Sequence, residues 1–115
     1  MAGSISHSEC WSFQNTVELL LDNNEFTGPL PDLSKNEKLV AVDLSRNRLT
    51  GGIDKKIFEL KDLLRLYLDS NELSGEIPQN FGNNKNLEDL YLNDNNFTGK
   101  IPRIEDNTTL QNIRK

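Results

Sequence analysis

Apolar residues recur along this chain in one short pattern: two apolar residues flanking a third, a polar run, another apolar residue, then a hydroxyl and a glycine. The pattern is written four times, as LLLDNNEFTG over 19–28, VDLSRNRLTG over 42–51, LYLDSNELSG over 66–75 and LYLNDNNFTG over 90–99. Within it Asn24, Asn47, Asn71 and Asn95 fall 23, 24 and 24 residues apart. A period of that size means stacked copies of one unit, each too small to bury its apolar face alone. In such an array the frame is set by residues that recur, and function is carried by those that vary.

The units start at Thr16, Leu39, Leu63 and Leu87, and run 16–38, 39–62, 63–86 and 87–109. Leu110 opens a partial fifth over 110–115, and residues 1–15 form a leader or cap. Position 4 holds Leu19, Val42, Leu66 and Leu90, and position 6 holds Leu21, Leu44, Leu68 and Leu92. Alternation from position 3 to position 7 has a period of two, which predicts one strand per unit with positions 4 and 6 facing inward. Stacking sets these strands parallel, ~4.8 Å apart.

Position 9 is always asparagine. An inward polar group without partners costs about 1–3 kcal/mol, and an amide offers both donors and an acceptor. Asn24, Asn47, Asn71 and Asn95 therefore predict a side-chain ladder that satisfies the backbone where the chain leaves the strand. Position 11 is Phe26, Leu49, Leu73 or Phe97, and position 13 is Gly28, Gly51, Gly75 or Gly99. Glycine there suits a positive φ or a close approach to the next coil. Leu30-Pro31, Ile77-Pro78 and Ile101-Pro102 then punctuate the chain, with Ile53-Asp54 the exception. The return segments supply Leu33, Ile57 with Leu60, Phe81 and Ile104, at spacings that suit 3₁₀ or irregular turns on the convex side.

At 115 residues the chain is one domain, and its low hydrophobic fraction of 35% fits the thin core strip of a coil. The periodic apolar positions argue against disorder. A net charge of −5 argues against nucleic acid and anionic membranes as partners. No apolar run approaches the ~18–20 residues of a membrane span. The first residues lack the apolar core of a signal peptide, and Cys10, the only cysteine, excludes an intrachain disulfide. Both point to a reducing compartment, or to a trimmed domain. Two glycosylation sequons, at Asn96 and Asn107, point to a secretory one. The compartment stays open between these.

Catalysis finds no support. His7 is the only histidine, Cys10 has no histidine near it in the repeat grid, and neither a phosphate loop nor a metal-ligand spacing occurs. Asp22, Asp69 and Asp94 lack the turn-forming glycine of a calcium cage. No cofactor and no metal are expected.

The variable positions carry more. Positions 3, 5, 7 and 8 face outward from the strands, with position 10 on the flank. They hold eight acidic residues and three arginines, a net of −5 that equals the charge of the whole chain. Tyr67 and Tyr91 share position 5 in adjacent units, with Leu20 farther along that column. Tyrosine anchors protein interfaces because it buries area and keeps a hydrogen-bonding tip. The candidate binding residues are Glu18, Leu20, Asp22, Asp43, Arg46, Arg65, Tyr67, Asp69, Asp89, Tyr91 and Asp94, and the partner they fit is a protein or peptide with a basic, partly apolar surface. Two alternatives stand beside this. The units can self-associate through open ends, with Cys10 bridging two chains, or Thr27, Thr50, Ser74 and Thr98 can form a hydroxyl column that binds ice.

The consensus L-x-x-L-x-L-x-x-N-x-L/F-S/T-G-x-I/L-P resembles the leucine-rich repeat, and its S/T-G-x-I/L-P tail resembles the plant-specific subclass. That subclass occurs in receptor-like kinases, receptor-like proteins and polygalacturonase-inhibiting proteins. The resemblance covers about residues 16–115. It implies an α/β solenoid, a right-handed coil with a parallel concave sheet and a convex side of 3₁₀ or irregular turns. It also implies non-catalytic recognition, at the cell surface or outside it. Members of the subclass carry paired-cysteine caps. Here Cys10-Trp11 resembles a remnant of the first cap without its second cysteine, with Trp11 and Phe13 expected over the first coil's core. Uncapped ends of such a coil expose core and strand edges.

Overall fold

Each unit makes two strands where the alternation predicts one. The computed structural model describes residues 2–4, 17–84, 86–99 and 112–114. The short strands β2 (Glu18–Leu20), β4 (Ala41–Asp43), β6 (Arg65–Tyr67) and β8 (Asp89–Tyr91) occupy positions 3 to 5. With β10 (Asn112–Arg114) they form the parallel concave sheet, in the order β2-β4-β6-β8-β10. A second parallel sheet, here called lateral, is built from β1 (Ala2–Ser4), β3 (Glu25–Pro29), β5 (Arg48–Gly51), β7 (Glu72–Glu76) and β9 (Asn96–Thr98), in that order. Ala2–Ser4, inside the expected leader, pairs with Glu25–Thr27. Asn112–Arg114, inside the partial fifth unit, pairs with Asp89–Tyr91. Cys10, Trp11, Phe13 and the Asn107 sequon lie outside the described residues.

The concave strands are shorter than the predicted span of positions 3 to 7, yet their ladder continues past them. The amides of Leu21 and Asn23 donate to the carbonyls of Asp43 and Ser45, and the same pair of bonds recurs from each of the next two units to its successor. Positions 4 and 6 face inward as expected. Val42, Leu44, Leu66, Leu68 and Leu90 are fully buried. Burying such a side chain contributes about 1.5–3 kcal/mol, so the recurring apolar column is the main stabiliser of each turn.

The asparagine ladder forms at the corner between the two sheets. Asn71 Nδ2 donates to the Leu44 carbonyl of the preceding unit at 3.0 Å, and to the Leu68 and Asp69 carbonyls of its own. Its Oδ1 accepts the amide of Leu49, again in the preceding unit, at 3.1 Å. Asn47 makes the same set with Leu21, Leu44, Ser45 and Phe26, and Asn95 with Leu68, Leu92, Asn93 and Leu73. Each of these three side chains thus closes the position-11 backbone donor one turn back and adds a second donor to the position-6 carbonyl there, which that unit's own asparagine also holds.

Two backbone requirements flank the corner. Gly28 and Gly75 have φ of 88° and 81°, and an added Cβ would meet nothing within 4 Å. Glycine is therefore needed at these two positions for its φ, and not for a close approach to the next coil. Position 8 is also left-handed, at φ of 57–60°, in Asn23, Arg46, Ser70 and Asp94. Asn and Asp adopt that region readily, whereas arginine and serine do so at a steric cost.

On the return side, 3₁₀ turns span Lys55–Glu59 and Gln79–Asn83. Asp54, where the three other units have proline, caps the first of these: its Oδ1 accepts the Lys56 amide at 3.0 Å. Phe58 and Phe81 pack between the turns with centroids 6.0 Å apart and ring planes tilted by 56°. Buried Asn84 donates to the Phe58 and Leu60 carbonyls, a second inter-unit amide clamp that the repeat pattern does not announce. The first return is one residue shorter and has no 3₁₀ turn. Ser34 stands there in the place of Phe58, and a cavity of about 220 Å³ opens beside it, lined by Leu30, Leu33, Ile53 and Ile57 among others. Ser34 instead donates its hydroxyl and its amide to Asp32, which holds that carboxyl below the usual carboxylate range.

Candidate functional site

The concave sheet pairs like with like. Ala41 lies opposite Arg65 and Arg65 opposite Asp89; Asp43 lies opposite Tyr67 and Tyr67 opposite Tyr91. Columns of side chains therefore run straight across the sheet. The Tyr67 and Tyr91 rings meet with centroids 4.8 Å apart and planes tilted by 53°, a geometry that aromatic pairs favour. The Tyr67 hydroxyl donates to Asp89 Oδ2 at 3.0 Å, and Arg65 Nε stands 3.8 Å from the same oxygen. Burial, followed by the Asp89 carboxylate, pushes the Tyr67 phenol up to about 12. The Tyr67 hydroxyl is thus oriented by its bond to Asp89, and its ionisation is moved still further above physiological pH.

The other candidate residues divide by environment. Glu18, Leu20, Asp22, Arg46, Arg65 and Asp94 are exposed, while Asp43, Asp69, Asp89, Tyr67 and Tyr91 are half-buried. Leu20 is the apolar outlier, at 57% exposure. Asp43 is engaged locally, accepting the amide and hydroxyl of Ser45. Ala41 and Ser45, which alternation places outward, are buried: a small side chain between longer neighbours is covered by them. Asp94 accepts the Asn93 amide at 3.0 Å. Position 8 proves to be a constrained corner of the frame as well as a variable position.

Position 10 leaves the concave face altogether. Glu25, Arg48, Glu72 and Asn96 begin the lateral strands, so the flank assigned to them is the first row of a second sheet. Without them the concave face carries six acids and two arginines, a net of −4. Arg48 Nε pairs with Glu72 at 3.6 Å on the lateral face, where both side chains are more than half exposed.

The lateral sheet pairs with a stagger of two residues. Thr27 lies opposite Arg48, Thr50 opposite Glu72 and Ser74 opposite Asn96. The expected hydroxyl column is corrected accordingly. Each hydroxyl is flanked across the ladder by a charged or amide side chain, and successive hydroxyls are separated on the diagonal by roughly 8 Å. Among the described residues, no group of three His, Cys, Asp or Glu is placed to hold a metal ion, and no helix is long and apolar enough to cross a membrane.

A family model for the leucine rich repeat matches residues 37–97. Among solved structures, the chain is similar to the LRR ectodomain of the receptor kinase SOBIR1 from Arabidopsis thaliana. The identity is 35%, the TM-score is 0.85, and the match covers 98% of this chain and 61% of that one. It is also similar to the Arabidopsis receptor kinase HAESA, solved in complex with the peptide hormone IDA and the co-receptor SERK1. There the identity is 33% and the TM-score 0.81, over 88% of this chain and 17% of that one. A plant ice-binding protein matches at 31% identity and a TM-score of 0.74, over 77% of this chain and 29% of that one. The chain spans less than two thirds of each of these proteins.

Proposed function

The chain belongs to the leucine-rich repeat family in its plant type, and from that premise we propose that it is a protein- or peptide-recognition module working through its concave face. The observation that carries the reading is the Tyr67–Tyr91 pair, half-buried, oriented by Asp89 and Arg65, and set in a face of net charge −4. A rigid aromatic pair loses little entropy on binding, and surrounding carboxylates select a cationic partner and speed its approach. The partner is a peptide or protein segment that is basic and partly apolar, its apolar part on the tyrosines or on Leu20 and its cations near Asp22, Asp69 and Asp94. The complex of the similar HAESA ectodomain with a peptide hormone supports this class of partner. Among the described residues, the arrangement of the side chains supports recognition.

The ice reading has less support, because the lateral hydroxyls alternate with charged residues across the sheet. Selection of a random peptide library on the immobilised chain tests the proposal. Enriched peptides are expected to carry Lys or Arg beside an apolar or aromatic residue, and to lose binding to the Tyr67→Ala/Tyr91→Ala double variant. Acidic consensus peptides, or undiminished binding to the double variant, would sink it.

A further inference from the structure

We propose that the lateral sheet is the glycan-bearing face of this protein, with Asn96 as the acceptor of an N-linked oligosaccharide. The argument starts from the repeat frame. Position 11 is always Phe or Leu and faces the core, while position 12 is always Thr or Ser. Every unit therefore contains two thirds of an Asn-x-Ser/Thr sequon, and the residue at position 10 decides whether it is complete. Glu25, Arg48 and Glu72 leave it incomplete, and Asn96 completes it with Phe97 and Thr98.

Geometry separates Asn96 from its neighbour. Asn95 is a ladder residue, partly buried, with its amide committed to three carbonyls and its oxygen to the Leu73 amide. Asn96 and Thr98 are both exposed, while Phe97 between them packs against the core. Strand alternation thus turns acceptor and hydroxyl to the same solvent side. The frame also protects the ladder, because two residues after each ladder asparagine comes the apolar position 11, never a hydroxyl. A sugar at position 10 stands on the lateral face, away from Tyr67 and Tyr91.

The donor is a lipid-linked oligosaccharide pyrophosphate. Asn96 Nδ2 bonds to the anomeric carbon, the carbon–oxygen bond to the lipid pyrophosphate breaks, and one amide proton is released to a base. The lipid pyrophosphate leaves with the bonding pair, and nothing is oxidised or reduced.

The test secretes the full chain from eukaryotic cells behind an added signal peptide, in an Asn107→Gln background that removes the other sequon. Mass spectrometry should find the Asn96 peptide carrying a hexosamine-based glycan. Asn96→Gln and Thr98→Val should abolish it, and Thr98→Ser should retain it. Glu72→Asn, which completes the sequon in the preceding unit, should add a second glycan and so prove that the folded frame and the host accept position 10. A bare Asn96 peptide beside a glycosylated Glu72→Asn site would overturn the assignment of Asn96. Secreted chains bare at both sites would overturn the lateral face as a glycan-bearing one. Peptide binding at the concave face is read separately in the same samples, so the two readings fail independently.

Discussion

The concave and lateral sheets are made by the same units, a few residues apart, yet one pairs in register and the other with a shift of two. The ladder accounts for the difference. Each asparagine at position 9 accepts the amide of position 11 in the preceding unit, as Asn47 does from Phe26. That bond sets position 9 beside position 11, and the strand that follows inherits the offset: position 10 beside 12, position 11 beside 13. In-register pairing collects equivalent residues into columns, so a pair such as Tyr67 and Tyr91 becomes one surface. Staggered pairing mixes unlike positions and dissolves any column. The face that accumulates chemistry is the one upstream of the asparagine.

The contrast is most strongly broken at the corner itself. Asn71→Ala should cost about 2 kcal/mol in urea unfolding, since it strands the buried Leu49 amide and leaves the Leu44 carbonyl with Asn47 as its remaining side-chain donor. A loss below about 1 kcal/mol would mean that the ladder does not hold the two sheets in their different registers. Next in size is the functional contrast. Tyr67→Ala should weaken selected peptides on the order of 10- to 100-fold, whereas Thr50→Val on the lateral sheet should leave their binding unchanged.

A third test reads the tyrosine cluster through pH. Because the Tyr67 phenol is pushed up to about 12, the neutral form is favoured by the fold. Its contribution is fully present below pH ~10, where an unfolded tyrosine is still protonated, and is lost as pH rises from there through about 12. Ultraviolet phenolate titration of the Tyr91→Phe variant should show the late transition. Asp89→Asn should bring it only part of the way back, since burial is the larger cause. Smaller again, Arg46→Asn should stabilise the fold by about 1 kcal/mol, by relieving the left-handed backbone at φ 57°. Least of all, Glu72→Gln should change stability by less than about 0.5 kcal/mol, its pair with Arg48 being exposed.

Much of this frame is legible in the residues themselves. Val42, Leu44, Asn47 and Gly51 each occupy the role that their recurrence predicts, and so do the 3₁₀ turns after Asp54 and Pro78. The lateral sheet was not legible, because a strand containing Gly28 and Pro29, or Gly75, reads locally as a turn. Its stagger is a relation between units that no single unit encodes. The burial of Ala41 and Ser45 depends on the length of their neighbours across the sheet. Asn84 is not legible as a frame position because the unit before holds Leu60 there. Of the candidate site, the Tyr67–Tyr91 adjacency could be read from the grid. The convergence of Tyr67 and Arg65 on one oxygen of Asp89 needed side-chain positions.

The direction of the ladder bonds bears on how such a chain is made. From Asn47 onward each ladder side chain reaches back to the unit before it, where it accepts the position-11 amide and adds a second donor to a carbonyl that the earlier asparagine already holds. On a ribosome, a unit emerges with that amide open to water, and it is sealed when the next asparagine arrives about 24 residues later, some seconds of synthesis at usual rates. Maturation therefore travels with translation, each newcomer finishing its predecessor, and a stalled or truncated chain always ends on a turn that is folded in outline and still unsealed.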